Sequence, residues 1–314
     1  MPENSKAPES QEAGEHDAEA PSQAWTTPEV RAKGRRLLIF TNGSRGDVQP
    51  VAALGLALKR AGFVVKLLTN VNHVEFLRSM DIDAVGVNVD TEKLLRDDPE
   101  VRKLVAKGDG LAYMKKCGEM YKSIFPDALA KKITATKEFR PDVILCCGLD
   151  AFEAGPIAGA MGVPFVFAPL QMSCSSRDFH TSVLRRSSCF PYNTVGTLTA
   201  HLWWSCEHNG KAEELVKQLP EAEEFIARTK REYMLMVHHP ITPVLIGFSP
   251  SLYSIPRDWS EDMQDRAKIT GFWIVPKGTQ ESKLQGGDPL FGGGDRERLD
   301  AFLAQGDPPV YLGW

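Results

Sequence analysis

The sequence predicts an α/β fold built on a doubly wound parallel sheet. Two observations carry that prediction. Short apolar runs of strand length alternate with stretches of helical periodicity along most of the chain. The first such unit reads as strand, glycine-containing turn, helix, strand. This alternation sets strands parallel and covers both faces of the sheet with helices. Ligands in such sheets bind outside the carboxyl ends of the strands. The loops after Thr41, Thr69, Cys147 and Ala168 are therefore expected to face a site.

Taken in order, structure is expected from Arg35. Arg36 to Thr41 is the first strand, and Asn42 to Asp47 is the glycine-containing turn. From Val48 to Ala61, the residues Val51, Leu54 and Leu58 recur at helical spacing. Asp47 stands where a helix N-cap belongs, Pro50 is tolerated in a first turn, and Gly62 ends the helix. Phe63 to Thr69 is the second strand, His73 to Met80 a helix, and Asp83 to Val89 a strand. Residues 91–137 read as mostly helical and charged, with Lys115-Lys116 and Lys131-Lys132 on solvated faces. Asp142 to Cys147 is a buried strand introduced by Arg140-Pro141. Ala151 to Met161 is a helix of small residues, followed by a strand from Phe165 to Ala168. Residues 171–242 break the rhythm, and a strand returns from Val244 to Phe248. A glycine-rich linker covers 276–295, and Arg296 to Gln305 is a short amphipathic helix. The chain then enters a strand and stops, so a fragment of a longer protein is expected.

Composition narrows the function. The 314 residues leave room for about two domains. The chain is 42% hydrophobic and 25% charged, as soluble globular proteins are. A net charge of -4 and a pI near 6.0 argue against nucleic acid as a partner, because phosphate binding needs a concentrated positive face. No apolar run has the length of a membrane span, so membrane contact is expected to be peripheral. The six cysteines (Cys117, Cys146, Cys147, Cys174, Cys189, Cys206) contain no Cys-x-x-Cys pair. They read as reduced thiols packed as small hydrophobes, which fits a cytoplasmic chain. Cys146 and Cys147 are neighbours on a strand and should point to opposite faces. Residues 1–34 form an acidic tail, with Glu3, Glu9, Glu12, Glu15, Asp17, Glu19 and Glu29 against Lys6 within the first thirty. It lacks a signal peptide's basic start and apolar core, and is too polar to offset its ordering entropy, so disorder is expected.

Gly43-Ser-Arg-Gly46 is a strand-to-helix turn of the kind that aims N–H groups at an anion. It does not have the Gly-x-Gly-x-x-Gly spacing of a dinucleotide site, and the second strand ends in Thr69-Asn70 without a ribose-binding acid. At this point a resemblance becomes specific. Gly43-Ser-Arg-Gly-Asp-Val-Gln-Pro50 resembles the opening motif of sterol 3-beta-glucosyltransferases and of transferases that glycosylate glycopeptide antibiotics. Further matches follow in order. Tyr192-Asn193, Leu198 and Trp203 resemble an acceptor-side helix of that family. Gly247-Phe-Ser-Pro250, Pro256, Asp258-Trp259 and Thr270-Gly-Phe-Trp273 resemble the end of its first domain. Pro309-Val-Tyr-Leu-Gly313 looks like the first strand of its second.

The resemblance implies the N-terminal half of a GT-B fold, a Rossmann-like acceptor domain over 35–275. It also implies a linker and short helix over 276–307, and the first strand of a C-terminal donor domain over 308–314. It implies sugar transfer with inversion from a UDP-sugar, such as UDP-glucose, to a sterol or similar lipid hydroxyl, with no cofactor and no metal. The UDP-sugar would be held by the missing donor domain, and this chain alone would be inactive. Asp47 maps onto the family's base. As residues alone, Asp47 is also a plain helix cap, and the two roles are compatible. Gly43, Ser44, Arg45 and Gly46 map onto the donor diphosphate contact. Ser44 equally reads as a turn hydroxyl and Arg45 as a solvated arginine. Met172, Arg177, Phe179, His180 and Trp203 map onto the acceptor pocket. The family's flanking Thr-Arg-Thr-Arg and Pro-His-Pro runs are absent around residues 171–180. That departure leaves open another hydrophobic acceptor, a non-catalytic lipid-binding module, or one subunit of a two-chain transferase. Arg185 and Arg186 with Trp203 and Trp204 suit a membrane interface, and the tryptophans equally suit burial in the domain. His73 and His238-His239 read as structural.

Overall fold

The computed structural model describes residues 32–170, 210–226 and 242–310. From Lys33 onward the described residues form one unit. Its centre is a seven-stranded parallel sheet: β1 (Arg36–Thr41), β2 (Val64–Asn70), β3 (Asp83–Asn88), β4 (Val143–Cys147), β5 (Phe165–Phe167), β6 (Val244–Ile246) and β7 (Ala267–Ile269). The order across the sheet is β3-β2-β1-β4-β5-β6-β7. β1 therefore pairs with both β2 and β4, with Ile39 opposite Leu67 on one side and Leu145 on the other.

The apolar runs need cover on both faces, and the strands show why. Successive side chains alternate. Leu38, Phe40, Leu68, Ile144 and Cys146 enter one core cluster, and Leu37, Ile39, Leu67, Leu145 and Cys147 enter the other. The adjacent cysteines thus point apart, and both thiols are buried. Burial pushes both up in pKa. The helices divide between the two faces. α1 (Arg45–Arg60) brings Val48, Val51 and Ala52 to the second cluster, as does α2 (Val74–Ser79) with Phe76 and Leu77. The first cluster takes Phe125, Leu129 and Ile133 from α5 (Gly110–Phe139) and Ala154, Ile157 and Ala158 from α6 (Ala151–Ala160).

Residues 91–139 resolve into three helices because aspartates punctuate them. Asp90 caps α3 (Thr91–Asp97) through Lys93 N–H, Asp98 caps α4 (Pro99–Lys107) through the N–H groups of Glu100 and Val101, and Asp109 caps α5 through Ala112 N–H. Gly108, in the left-handed region at φ 68°, ends α4.

Five expectations change. Asp47 is not the N-cap of α1. Ser44 is, and Asp47 sits at the third helical position of a capping box, its carboxylate accepting from Ser44 N–H. The helix expected from His73 starts instead with a 3-10 turn over Val71–His73. β7 is a strand that periodicity does not show, since three residues are too few for a repeat. Residues 276–295 contain a helix, Lys277–Gln285, and two 3-10 turns, and Leu290 and Phe291 pack against the second core cluster. Residues 308–310 hold no strand, and 311–314 lie outside the described residues, as does residues 1–31 of the acidic tail.

Leu129 is fully buried in the cluster that seats α5. Leu129→Ala should lower unfolding free energy by about 2–5 kcal/mol, read from urea melts followed by circular dichroism.

Candidate functional site

The strand order reverses between β1 and β4, which is where an open α/β sheet offers its crevice. A cavity of about 490 Å3 lies there. Asn42, Gly43 and Ser44 line it from the loop after β1, Asn88 and Val89 from the end of β3, and Leu149 and Asp150 from the loop after β4. The largest contribution comes from α5. Tyr113, Cys117, Tyr121, Ile124, Ala128 and Lys132 follow one another every three or four residues, so they form one stripe along the helix. The stripe is mostly apolar or aromatic. It ends in a charge.

That charge is buried. Lys132 is 2% exposed at its side chain, and its Nζ donates to Asp150 Oδ1 at 2.9 Å and Glu153 Oε1 at 2.7 Å. The solvated face expected for Lys132 is therefore incorrect, whereas Lys131 on the neighbouring face is exposed and pairs with Asp127. Asp150 is the N-cap of α6, yet its side chain caps no N–H of that helix. It accepts instead from Lys132, from Asn42 Nδ2 at 3.0 Å and from Asn88 Nδ2 at 3.3 Å. Burial alone pulls the Lys132 ammonium down in pKa. The carboxylates of Asp150 and Glu153 more than offset that, so it ends raised. Burial pushes Glu153 up, and Lys132 opposes the shift. Burial also raises Tyr121 and Cys117 on the cavity wall.

The turn after β1 borders the same cavity. Gly43 adopts φ 129°, and a Cβ there would lie 2.3 Å from Asp47 Oδ2. Only glycine lets the carboxylate fold back to accept from Ser44 N–H at 2.8 Å and from Ser44 Oγ at 3.1 Å. Asp47 itself does not line the cavity; its carboxylate accepts from Ser44, which does. The N–H groups expected to face an anion are each committed internally. Gly43 donates to Asn70 Oδ1, Arg45 to Glu92 Oε1 and Gly46 to Ser44 Oγ. Two carboxylates of the chain thus occupy the positive end of α1.

Arg45 points elsewhere. Its guanidinium lies 3.7 Å from the centre of the Phe76 ring and 5.5 Å from that of Phe291, while Nε donates to Gln49 Oε1. Burial lowers its pKa, opposed by Asp288 and Glu92. His73 is buried with Nε2 3.2 Å from Gly43 O, which fits the structural role expected of it. Met172, Arg177, Phe179, His180 and Trp203 lie outside the described residues, as do Arg185, Arg186, Trp204 and His238-His239. Among the described residues, no group of three or more His, Cys, Asp or Glu is placed to hold a metal ion. No helix among them is long and apolar enough to cross a membrane.

Sequence reasoning missed the α5 stripe, Lys132, Asp150 and Glu153. A signal was present. Glu153 stands in Ala-Phe-Glu-Ala-Gly-Pro-Ile-Ala, an otherwise apolar helix, and a buried acid requires a cation. Lys132→Ala should cost about 3–5 kcal/mol in urea unfolding, because it strands two buried carboxylates, while Lys131→Ala should leave the midpoint unchanged. Gly43→Ala should cost about 1–3 kcal/mol by the same assay, since it sets a side chain at positive φ against Asp47.

No family model matches the chain. A sterol 3-beta-glucosyltransferase of Arabidopsis thaliana is 22% identical over 286 residues, 89% of this chain and 42% of its own length. The glycosyltransferase GtfC of Amycolatopsis orientalis is 24% identical over 287 residues, 89% of this chain and 60% of its own. This chain therefore spans less than two thirds of either relative. Among solved structures, the calicheamicin glycosyltransferase CalG4 superposes with a TM-score of 0.50 at 12% identity, over 76% of this chain and 52% of that one. The chain thus resembles sterol 3-beta-glucosyltransferases in sequence and has the α/β fold of the N-terminal half of a GT-B glycosyltransferase.

Proposed function

We propose that this chain is the acceptor-binding half of an inverting glycosyltransferase that moves glucose from UDP-glucose to the hydroxyl of a sterol or similar lipid. One observation carries the reading. An apolar cavity large enough for a hydrophobic alcohol sits at the strand reversal, bordered by the Gly43–Asp47 turn. The sterol 3-beta-glucosyltransferase relatives support the choice of sugar and acceptor.

In this reading Asp47 is the base. It takes the acceptor's hydroxyl proton as the oxygen bonds to the anomeric carbon and the carbon–diphosphate bond breaks on the opposite side, releasing UDP. Ser44, exposed at the start of α1, touches the donor diphosphate. The hydrogen bond from Ser44 Oγ to Asp47 Oδ2 ties the base, which does not itself line the cavity, to Ser44, which does. Gly43 and Gly46 serve the geometry of the turn, and Arg45 braces it against Phe76. A separate donor domain holds the uridine.

A second reading keeps the fold and the chemistry and changes the acceptor to another hydrophobic alcohol. The buried charges at the end of the α5 stripe favour it, because a hydrocarbon skeleton offers them nothing. GtfC and the O-mycaminosyltylonolide 6-deoxyallosyltransferase of Streptomyces fradiae, 25% identical over 293 residues, support it.

The test is transfer from UDP-glucose to a sterol by the chain joined to a donor domain, with native Asp47 and with Asp47→Asn. Transfer should fall by about two to four orders of magnitude in a folded variant. Equal rates would leave Asp47 as a capping residue, and no transfer to any sterol by the native form would shift the acceptor to another alcohol.

A further inference from the structure

The segment after the last strand changes character at one point. Leu290 and Phe291 pack against the second core cluster, and the Phe291 ring lies 5.5 Å from that of Phe76. Gly292, Gly293 and Gly294 come next, and Gly292 takes φ 79°. From Gly294 to Val310 every residue is exposed. The hold of the sheet and its helices on this segment therefore ends at Phe291.

The exposed stretch nevertheless contains a helix, Arg296–Leu303, of eight residues. Helices shorter than about 12–15 residues are marginal in water and persist in proteins by packing an apolar face. This one has such a face. Leu299, Phe302 and Leu303 stand at i, i+3 and i+4, and are 55%, 59% and 47% exposed. Its charged residues pair among themselves, Arg296 with Asp300 at 3.4 Å and Arg298 with Asp295 at 3.9 Å. None of the residues of this helix is buried, and none joins either core cluster of the described residues.

The size of the face limits what can cover it. Three partly exposed side chains on a helix about 12 Å long supply far less than the about 800 Å2 per partner of a stable association between free molecules. A contact this small holds when a chain connection keeps the partner close, because a high effective concentration then replaces area. The sterol glucosyltransferase and GtfC relatives match this chain over their N-terminal halves and carry further chain of their own.

We infer that the face formed by Leu299, Phe302 and Leu303 is the docking surface for the donor-binding half of the transferase, a chain-linked partner that presents an apolar surface of its own. Gly292 to Gly294 is then the junction between the two halves. This inference rests on the glycosyltransferase reading given above.

The experiment measures amide hydrogen exchange of residues 296–305 in the purified chain and in two fusions. These carry, after Trp314, the C-terminal half of the Arabidopsis relative or that of GtfC. Exchange should be at least about tenfold slower in the fusions than in the chain alone. The double variant Leu299→Ser/Phe302→Ser should abolish that slowing, yet leave the melting temperature of the chain alone unchanged, as surface substitutions do. Equal exchange in the chain and in the folded fusions overturns the inference. A variant that lowers the melting temperature of the chain alone also overturns it, because the acceptor half then covers the face. So does a native chain that is dimeric where the variant is monomeric, because a second copy then covers it. Should neither fusion fold, the measurements on the chain alone decide, unchanged melting of a monomer supporting the inference. Exchange does not depend on sugar transfer, so a fusion that shows the slowing but glycosylates no sterol overturns the sterol reading and leaves the docking surface standing.

Discussion

One ammonium between two carboxylates constrains the rest of this structure. Lys132, Asp150 and Glu153 are withdrawn from water, and each would be prohibitively costly to bury alone. Together they can be buried only if α5 lies where Nζ reaches both acids at the start of α6. Asn42 and Asn88 complete the satisfaction of Asp150, which adds the ends of β1 and β3 to the same arrangement. Replacing such a group by apolar residues is often neutral or stabilising, so its worth here is positional. It holds a long helix over the carboxyl edge of the sheet with an apolar stripe turned toward the strand reversal, and the space beneath that stripe is the cavity.

The turn after β1 is joined to this network through adjacent residues. Asn42 belongs to the charge network, and Gly43 begins the capping turn. Asn70 and His73 hold Gly43 from the β2 side, through its N–H and its carbonyl. The result is a rigid edge carrying Ser44 and Asp47 beside an apolar space. The positive end of α1 is already met by Asp47 and Glu92. An incoming anionic donor would have to meet Ser44 from outside and compete with Glu92 for Arg45 N–H. The N–H groups at this edge are therefore already committed within the chain.

The fold was legible because its strands are short, apolar and buried on both sides, and because its turns carry Gly, Asp and Pro at informative places. β1, β2 and β4 read directly from Arg36-Leu-Leu-Ile-Phe, Val64-Val-Lys-Leu-Leu and Val143-Ile-Leu-Cys-Cys. β7 did not, because Ala267-Lys-Ile269 is set by its pairing with β6 and not by its own pattern. The Gly43–Asp47 turn was found where expected, but the capping role moved from Asp47 to Ser44, since both residue types cap and only geometry separates them. Lys132 was misread for a physical reason. On α5, beside Lys131 and among other charges, a lysine looks solvated, and its partners lie 18 and 21 residues further on. The acid in the apolar segment of α6 was the better clue, because a carboxylate there must find a cation. The acceptor residues expected at 172–180 and at Trp203 fall outside the described residues, so the cavity is described through α5 and through the chain ends after β1, β3 and β4.

The most direct test of the central claim is photoaffinity labelling of the chain with a diazirine-bearing sterol, read by peptide mass spectrometry. The account predicts labelled peptides from α5 between Tyr113 and Ala128 and from the loop at Leu149, with labelling suppressed by excess unlabelled sterol. Saturable labelling confined to residues 277–303, with α5 untouched, would contradict it.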